Sequence, residues 1–173
     1  NYVIFSKITK MNILIIGSGA WGTSLAHVFA KNDHKITLWS YEKTVSKQIN
    51  ELRINKKYLN KIRLSKNIQS TNSPIDPKNF DFIFYVSPAQ HLVSVLKQSL
   101  STDKFNNLII CSKGIDIKSG TILSEVLEKN FKVSNIHVLS GPSFAEEIAL
   151  GMPGALSLGS KVKSNKLQKL FKG

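Results

Sequence analysis

A glycine-rich loop near the N-terminus constrains the fold of this chain more than any other feature. The apolar run 12–16 leads directly into residues 17–22, GSGAWG, and a helical pattern follows. A strand, a GxGxxG loop and a helix in this order form the phosphate-binding turn of dinucleotide-binding domains. The first glycine permits a tight reversal, the second lets the backbone approach a pyrophosphate, and the third lets the helix pack closely. The loop therefore predicts a dinucleotide site at a helix N-terminus, where backbone N–H groups are free.

Apolar strand-like runs alternate with helical patterns along the rest of the chain. Strands are predicted at 12–16, 35–39, 68–71, 80–86, 107–111, 136–139 and 155–158, and helices begin near residues 21, 42, 88, 121 and 165. This alternation predicts an α/β fold with a doubly wound, mostly parallel sheet of the Rossmann type. Residues 53–66 show no clean periodicity and are predicted as a loop. With 173 residues, we expect one domain over 11–173 after an N-terminal extension, residues 1–10.

Five loops follow the carboxyl ends of the predicted strands, at one edge of the sheet. They span 17–22, 40–43, 87–91, 112–116 and 140–146. Ligands of open parallel sheets bind in the crevice at this edge, so we expect the five loops to converge on one site. The third loop, Ser87-Pro88-Ala89-Gln90, is also predicted as a capping box that starts a helix.

The end of the second strand bears on the choice of cofactor. Glu42 suits the adenosine ribose 2′-hydroxyl of NAD, whereas Lys43 and the polar Ser40 suit the 2′-phosphate of NADP. The sequence does not decide between them. Tyr41 has two interpretations, because it either lies against the adenine or is an exposed aromatic residue at a helix start.

The net charge of +13 raises the question of a nucleic-acid partner. Only two of the 24 basic residues are arginines and the lysines are scattered, so we expect a solvated surface and no nucleic acid. No stretch approaches the about 20 apolar residues of a membrane span, so no stable membrane insertion is expected. We also expect no metal site. The single cysteine, Cys111, lies in an apolar run, which predicts a buried thiol and a reducing, cytoplasmic compartment.

Five segments together resemble one protein family. They are GSGAWGTSLA at 17–26, LW at 38–39, SPAQ at 87–90, SKGI at 112–115 and SGPSFAEE at 140–147. In this order they are similar to the N-terminal domain of NAD(P)-dependent glycerol-3-phosphate dehydrogenases, above all the bacterial forms, over roughly 11–160. The resemblance implies hydride transfer between NAD or NADP and a small-molecule substrate. It implies interconversion of sn-glycerol 3-phosphate and dihydroxyacetone phosphate, which feeds glycerophospholipid synthesis.

The resemblance also implies roles for individual residues. Cofactor contacts are implied at Gly17, Gly19, Ala20, Trp21, Gly22, Tyr41, Pro88, Lys113 and Ala145. Substrate contacts are implied at Lys113, Gly141 and Ser143, and Gln90 is expected beside the nicotinamide. Two alternatives stay open, since Trp21 also suits packing at a helix start and Ser143 also suits helix capping.

The resemblance places the proton-transferring lysine of the family in a helical C-terminal domain. Lys166 lacks the Lys-Asn pattern around that lysine, so no catalytic residue is expected in this chain. We expect the helical substrate domain to be missing here and the full-length protein to be a homodimer. Two hypotheses follow. The chain is the N-terminal part of a dehydrogenase, or it is a catalytically inactive dinucleotide-binding product of a split or decaying gene.

Overall fold

The structure is a computed structural model that describes residues 10–171. The predicted N-terminal extension therefore lies outside the described residues except for Lys10. Met11 is already part of the fold, because it is buried, its N–H donates to His34 Nδ1 at 3.2 Å, and its carbonyl accepts from the Lys35 N–H at 2.9 Å. The boundary between extension and domain remains a prediction.

Strands and helices alternate along the described residues, as predicted, except that no α-helix lies between the third and fourth strands. In chain order they are β1 Asn12–Ile16, α1 Ala20–Lys31, β2 Lys35–Trp39, α2 Lys43–Leu52, β3 Ile68–Thr71, β4 Phe82–Tyr85, α3 Leu92–Ser99, β5 Lys104–Ile110, α4 Leu123–Asn130, β6 Lys132–Ser140, α5 Ala145–Ala149, β7 Ser157–Ser160 and α6 Asn165–Leu170. Short 3-10 turns at 77–79 and 89–91 precede β4 and α3. Residues 53–66 form no helix or strand, which confirms the predicted loop.

The strands form one sheet in the order β3-β2-β1-β4-β5-β6-β7. The first six are parallel, and β7 pairs antiparallel with β6. The order turns back on itself between β1 and β4, and this switch point opens a crevice at the carboxyl ends of the strands. The predicted doubly wound, mostly parallel sheet of the Rossmann type is confirmed.

Both faces of the sheet are covered by helices. Ile13 and Ile15 pack with α1, α2 and α6 on one face, and Leu14 and Ile16 pack with α3 and α4 on the other. Because central parallel strands are buried on both faces, they appear in the sequence as continuous apolar runs. No helix within residues 10–171 is long and apolar enough to cross a membrane.

The predicted capping box at 87–90 is wrong. Pro88 is extended, with φ −56° and ψ 143°, and a 3-10 turn at 89–91 separates it from α3, which begins at Leu92. No side chain caps either element. The Gln90 amide cannot serve as a cap because it is bonded to another loop, described below.

Four strands differ from their predicted bounds. β4 spans 82–85 and is shorter than the predicted 80–86. β5 and β6 begin three or four residues earlier than predicted, since Lys104 pairs with Lys132 where both strands extend beyond the apolar core. Polar residues at these outer ends carry no strand signal. The last strand lies at 157–160 instead of 155–158, because its register is set by pairing with β6, in which Leu139 lies opposite Leu158.

Candidate functional site

Two glycines of the 17–22 loop are required by close backbone packing. Gly17 has φ +118°, and a Cβ there would lie 2.7 Å from the Val86 carbonyl oxygen. A Cβ on Gly22 would lie 1.9 Å from the carbonyl oxygen of Gly17. The Gly17 N–H also donates to the Trp39 carbonyl at 3.0 Å. The loop is therefore pressed between β2, β4 and the first turn of α1.

Gly19 faces open space instead. No atom lies within 4 Å of the position that its Cβ would take, although Gly19 is the N-cap residue of α1. No side chain caps this helix, and its first turn holds no acidic residue. The N–H groups of a helix N-terminus need partners and favour an anion. This uncapped, open end fits a pyrophosphate group of a dinucleotide.

Asn55 holds the glycine loop by side-chain hydrogen bonds, and the sequence analysis did not identify it. It is fully buried, and its Nδ2 donates to the Ser18 carbonyl at 2.8 Å and to Thr23 Oγ1 at 2.9 Å. Its Oδ1 accepts from the Tyr58 N–H at 3.2 Å. No local pattern marks Asn55, because it lies in the aperiodic segment 53–66.

The end of β2 is joined to the glycine loop. The hydroxyls of Ser18 and Ser40 lie 2.5 Å apart, and both side chains are buried. Lys57 Nζ and the Tyr58 hydroxyl each donate to the Glu42 carboxylate at 2.7 Å. These bonds, that of Lys57 first and that of Tyr58 second, hold the pKa of Glu42 below its usual value. Glu42 is thus ionised and partly engaged, which leaves the choice between NAD and NADP open.

Tyr41 follows β2, and Trp21 lies in the glycine loop at the start of α1. Tyr41 is 69% exposed, and its ring touches the edge of Trp39 with centroids 6.5 Å apart. It is therefore an exposed aromatic residue at a helix start that is also free to stack on a ligand. Trp21 is half-buried and packs against the core on the α1 face. The packing interpretation of Trp21 holds, and a cofactor contact by its exposed part stays a prediction.

Lys113 lies just beyond the carboxyl end of β5. Its side chain is exposed, and it borders a cavity of about 350 Å³ between β5, β6 and α4, together with Ser112, Gly114 and Ser140. The Ser112 hydroxyl donates to the Ser87 carbonyl, which joins this loop to the one after β4. Gly114 has φ +107°, a backbone conformation that suits glycine.

Pro88 and Gln90, in the loop after β4, both bond other parts of the chain. The carbonyl of Pro88 accepts from the buried Tyr85 hydroxyl at 2.8 Å, and the Pro88 ring is exposed. Gln90 Nε2 donates to the Ile115 carbonyl at 2.8 Å, and Gln90 Oε1 accepts from the Ile117 N–H at 2.9 Å. Its expected place beside the nicotinamide stays a prediction, but its amide already has two protein partners.

The turn after β6 is shaped by packing against the segment that precedes β7. A Cβ on Gly141 would lie 2.2 Å from the Ala155 carbonyl oxygen, so this glycine has a structural role whether or not it binds substrate. The N-cap residue of α5 is Phe144, without a side-chain cap, so the capping interpretation of Ser143 is wrong. The Ala145 carbonyl accepts from Ser24 Oγ at 2.7 Å and thereby ties α5 to α1.

All five loops thus lie at one edge of the sheet. Contacts join the first four loops, and the turn after β6 is joined to α1. Ser18 of the glycine loop bonds Ser40 after β2, and Gly17 packs against Val86 at the end of β4. Ser112 bonds Ser87, and Ser24 of α1 bonds the Ala145 carbonyl. Lys113 shares a cavity with Ser140. Over residues 10–171, no hydrogen bond joins Lys113 directly to Gly141 or Ser143.

Two other residues lie away from this chemistry. Burial raises the pKa of the Cys111 thiol to about 12, so this side chain is a buried thiol and not a nucleophile. Lys166 Nζ lies 2.7 Å from Asp81 Oδ1, and Asp81 Oδ2 accepts from the Asn12 N–H. This ion pair is at the amino ends of β1 and β4, the edge opposite the glycine loop. In the described part of the chain, no cluster of metal-ligating side chains is present.

Comparison with known proteins decides the family. A family model described as NAD-dependent glycerol-3-phosphate dehydrogenase N-terminus matches residues 12–166. The chain belongs to this family. A protein of Maricaulis maris named glycerol-3-phosphate dehydrogenase (NAD(P)+) is 40% identical over 148 residues, which are 85% of this chain and 44% of that protein. The protein of that name from Erythrobacter litoralis is 37% identical, with 84% of this chain and 44% of the relative covered.

A solved structure agrees with this membership. The crystal structure of glycerol-3-phosphate dehydrogenase from Coxiella burnetii superposes with a TM-score of 0.76 at 29% identity and covers 92% of this chain and 49% of that one. The chain therefore spans somewhat less than half the length of the curated relatives it matches and corresponds to the family's N-terminal, dinucleotide-binding domain. The family and the strand order together make NAD or NADP its cofactor class.

Proposed function

We propose that this chain is the NAD(P)-binding part of an oxidoreductase that interconverts sn-glycerol 3-phosphate and dihydroxyacetone phosphate and feeds glycerophospholipid synthesis. One observation carries the proposal. Gly19 leaves open space at the uncapped N-terminus of α1, at the switch point of the sheet. The names of the relatives give glycerol 3-phosphate as the substrate, and the family resemblance implies dihydroxyacetone phosphate as its oxidised partner. The chain's own loops offer a place for the cofactor.

In this proposal the residues divide into two groups. The cofactor is held by Gly17, Gly19, Ala20, Trp21, Gly22, Tyr41, Pro88, Lys113 and Ala145, and the substrate by Lys113, Gly141 and Ser143. A bound nicotinamide would supply the hydride acceptor or donor. Lys113 is an exposed cation at the end of β5, so it can pair with a phosphate or polarise a ketone oxygen. The N–H groups of α1 hold the pyrophosphate charge.

The alternative is a dinucleotide-binding product that does no chemistry. Alcohol oxidation needs a base, and ketone reduction needs the matching acid. Lys166 cannot fill that role from the opposite edge of the sheet, where it pairs with Asp81. We therefore expect residues 1–173 to bind NAD(P)H weakly and not to oxidise it with dihydroxyacetone phosphate. Turnover by the purified chain would contradict this expectation.

Binding is tested by titrating the chain with NADH and NADPH and following nicotinamide fluorescence. Gly19→Val places a side chain where the pyrophosphate would lie, so we expect binding to be lost while the protein stays folded. Gly159→Val is the matched control, because a Cβ at this exposed position of β7 meets only ordinary contacts. Unchanged affinity in Gly19→Val, or no binding by the unaltered chain, would overturn the proposal.

The proposal extends to location and assembly. We propose a cytoplasmic protein, supported by the free, buried thiol of Cys111, which suits a reducing compartment. We also propose a homodimer for the full-length protein, supported by the resemblance to the family. Sedimentation velocity of the chain with and without cofactor would measure whether these residues associate on their own.

A further inference from the structure

The loop that carries Lys113 has little apolar packing to hold it. We call residues 112–122 the lysine loop. Ile115, Ile117 and Ile122 are 50%, 79% and 53% exposed, so none of these side chains is buried against the core. Burial of apolar area is the dominant favourable term in folding, and these three side chains contribute little of it. The position of Lys113 must therefore depend on hydrogen bonds.

Most hydrogen bonds of the lysine loop are internal. Asp116 and Thr121 are joined by a backbone bond, and Gly120 donates back to the Asp116 carbonyl. The Asp116 carboxylate accepts from the Ser119 N–H at 2.8 Å and from the Ser119 hydroxyl at 2.7 Å. These bonds give residues 116–121 their own shape. They do not connect the loop to the rest of the domain.

Gln90 makes the connection. Its Nε2 donates to the Ile115 carbonyl at 2.8 Å and its Oε1 accepts from the Ile117 N–H at 2.9 Å, so one side chain satisfies two backbone groups two residues apart. A primary amide has both the donor and the acceptor that this pair requires. Gln90 itself belongs to the 3-10 turn after β4, the strand at the switch point. Among the described residues, one other side chain links the start of the loop to the domain, since the Ser112 hydroxyl donates to the Ser87 carbonyl.

We propose that Gln90 is a positioning residue for Lys113. This inference rests on the proposed function, in which Lys113 contacts cofactor and substrate. Gln90 bonds the lysine loop to the turn after β4 and so holds Lys113 at the crevice before any ligand arrives. Without Gln90 the loop would have to be ordered at the moment of binding, and ordering a loop lowers affinity. In this role Gln90 acts through the loop, which is separate from its predicted place beside the nicotinamide.

A double-mutant cycle separates action through Lys113 from direct contact. We would measure the NADH affinity of the 173-residue chain and of Gln90→Ala, Lys113→Ala and the double variant. Losing two hydrogen bonds that order a loop should weaken binding in Gln90→Ala by roughly fivefold. If Gln90 acts through Lys113, the double variant binds no more weakly than Lys113→Ala. Independent, multiplying losses would overturn the inference.

Amide exchange at Ile117 provides a readout that does not require a ligand. Its N–H donates to Gln90 Oε1, so Gln90→Ala should speed exchange at Ile117 while the melting temperature stays unchanged. Gln98→Ala is the matched control, because Gln98 is an exposed glutamine in the last turn of α3, at the end of the helix away from the 3-10 turn. It should alter neither exchange at Ile117 nor NADH affinity.

The outcomes distinguish the two proposals. If the unaltered chain binds no NADH, the proposed function fails and the inference fails with it. If the chain binds NADH and Lys113→Ala has no effect while Gln90→Ala weakens binding, Gln90 acts directly and the positioning role is rejected. Unchanged exchange at Ile117 in Gln90→Ala would also reject it.

Discussion

The glycine loop and the lysine loop lie at the same edge of the sheet, on either side of β4, but different contacts hold them. The glycine loop is pressed into place by backbone packing, since Gly17 and Gly22 leave no room for a Cβ. Beneath it, Asn55 and Thr23 bond the Ser18 carbonyl out of contact with water. This region is therefore fixed by the same contacts that stabilise the domain.

The lysine loop shows the opposite arrangement. Its isoleucines are exposed, and its side-chain links to the domain come from the exposed Gln90 and the half-buried Ser112. Such contacts contribute little to global stability but set the local position of a segment. The part proposed to hold the cofactor phosphates is therefore closely packed, whereas the residue proposed to reach the substrate is carried by a loop with little apolar packing.

The largest expected effect comes from Gly22→Ala. Its methyl group would overlap the Gly17 carbonyl, so α1 must shift away from β1, and we expect a loss of about 3 kcal/mol of unfolding free energy. Urea denaturation followed by circular dichroism measures it. Gly19→Ala is the control in the same loop, because its Cβ would meet no atom within 4 Å. Equal stability of the two variants would contradict the backbone-packing account of the glycine loop.

The parts that the sequence predicts well are those set by local backbone requirements. Gly17 has φ +118° and Gly22 lies against a carbonyl, and both requirements appear in the sequence as glycines. β1 appears as an apolar run because both of its faces are buried. The alternation of elements then limits the strand order, since parallel strands need crossovers of a fixed hand. Loop convergence at one edge follows from that order.

The parts that the sequence does not predict are set by side chains that meet only in the folded protein. Asn55 lies 37 residues from Ser18, and Gln90 lies 25 residues from Ile115. The predicted capping box is wrong for the same reason. The spacing of Ser87 and Gln90 suits a cap, but the backbone groups of Ile115 and Ile117 bind the Gln90 amide in the folded protein. The roles proposed for Lys113 and Ser143 likewise depend on a ligand, which no local pattern shows.

A second prediction compares the two amides that hold the two loops. Asn55→Ala leaves buried partners unpaired, so we expect a loss of about 2 kcal/mol of unfolding free energy. Gln90→Ala removes exposed bonds, so the change should stay within about 0.5 kcal/mol. Urea denaturation of both variants tests this, with Asn106→Ala as an exposed asparagine control. A Gln90→Ala loss as large as that of Asn55→Ala would erase the distinction between the loops.

The smallest effect concerns two carboxylates, Glu42 beside the glycine loop and Asp116 in the lysine loop. The pKa of Glu42 is lowered first by the hydrogen bond from Lys57, a cation, whereas the pKa of Asp116 is lowered first by hydrogen bonds from Ser119, which is neutral. In both cases the lower folded-state pKa means that the stabilisation is complete above the usual values of 4.5 and 3.8. It is lost as the pH falls below them.

Salt should therefore separate the two groups. Ions screen the attraction between Glu42 and Lys57, so raising the salt concentration should move the titration midpoint of Glu42 upward, toward its usual value. A bond from a neutral hydroxyl or N–H is screened much less, so the midpoint of Asp116 should stay nearly constant. Carboxyl chemical shifts followed by NMR between low and high salt measure both midpoints in one sample. Lys57→Met is the control, and it should raise the pKa of Glu42 while removing its salt dependence. Equal salt responses would contradict the distinction between Glu42, lowered in pKa mainly by a cation, and Asp116, lowered mainly by neutral donors.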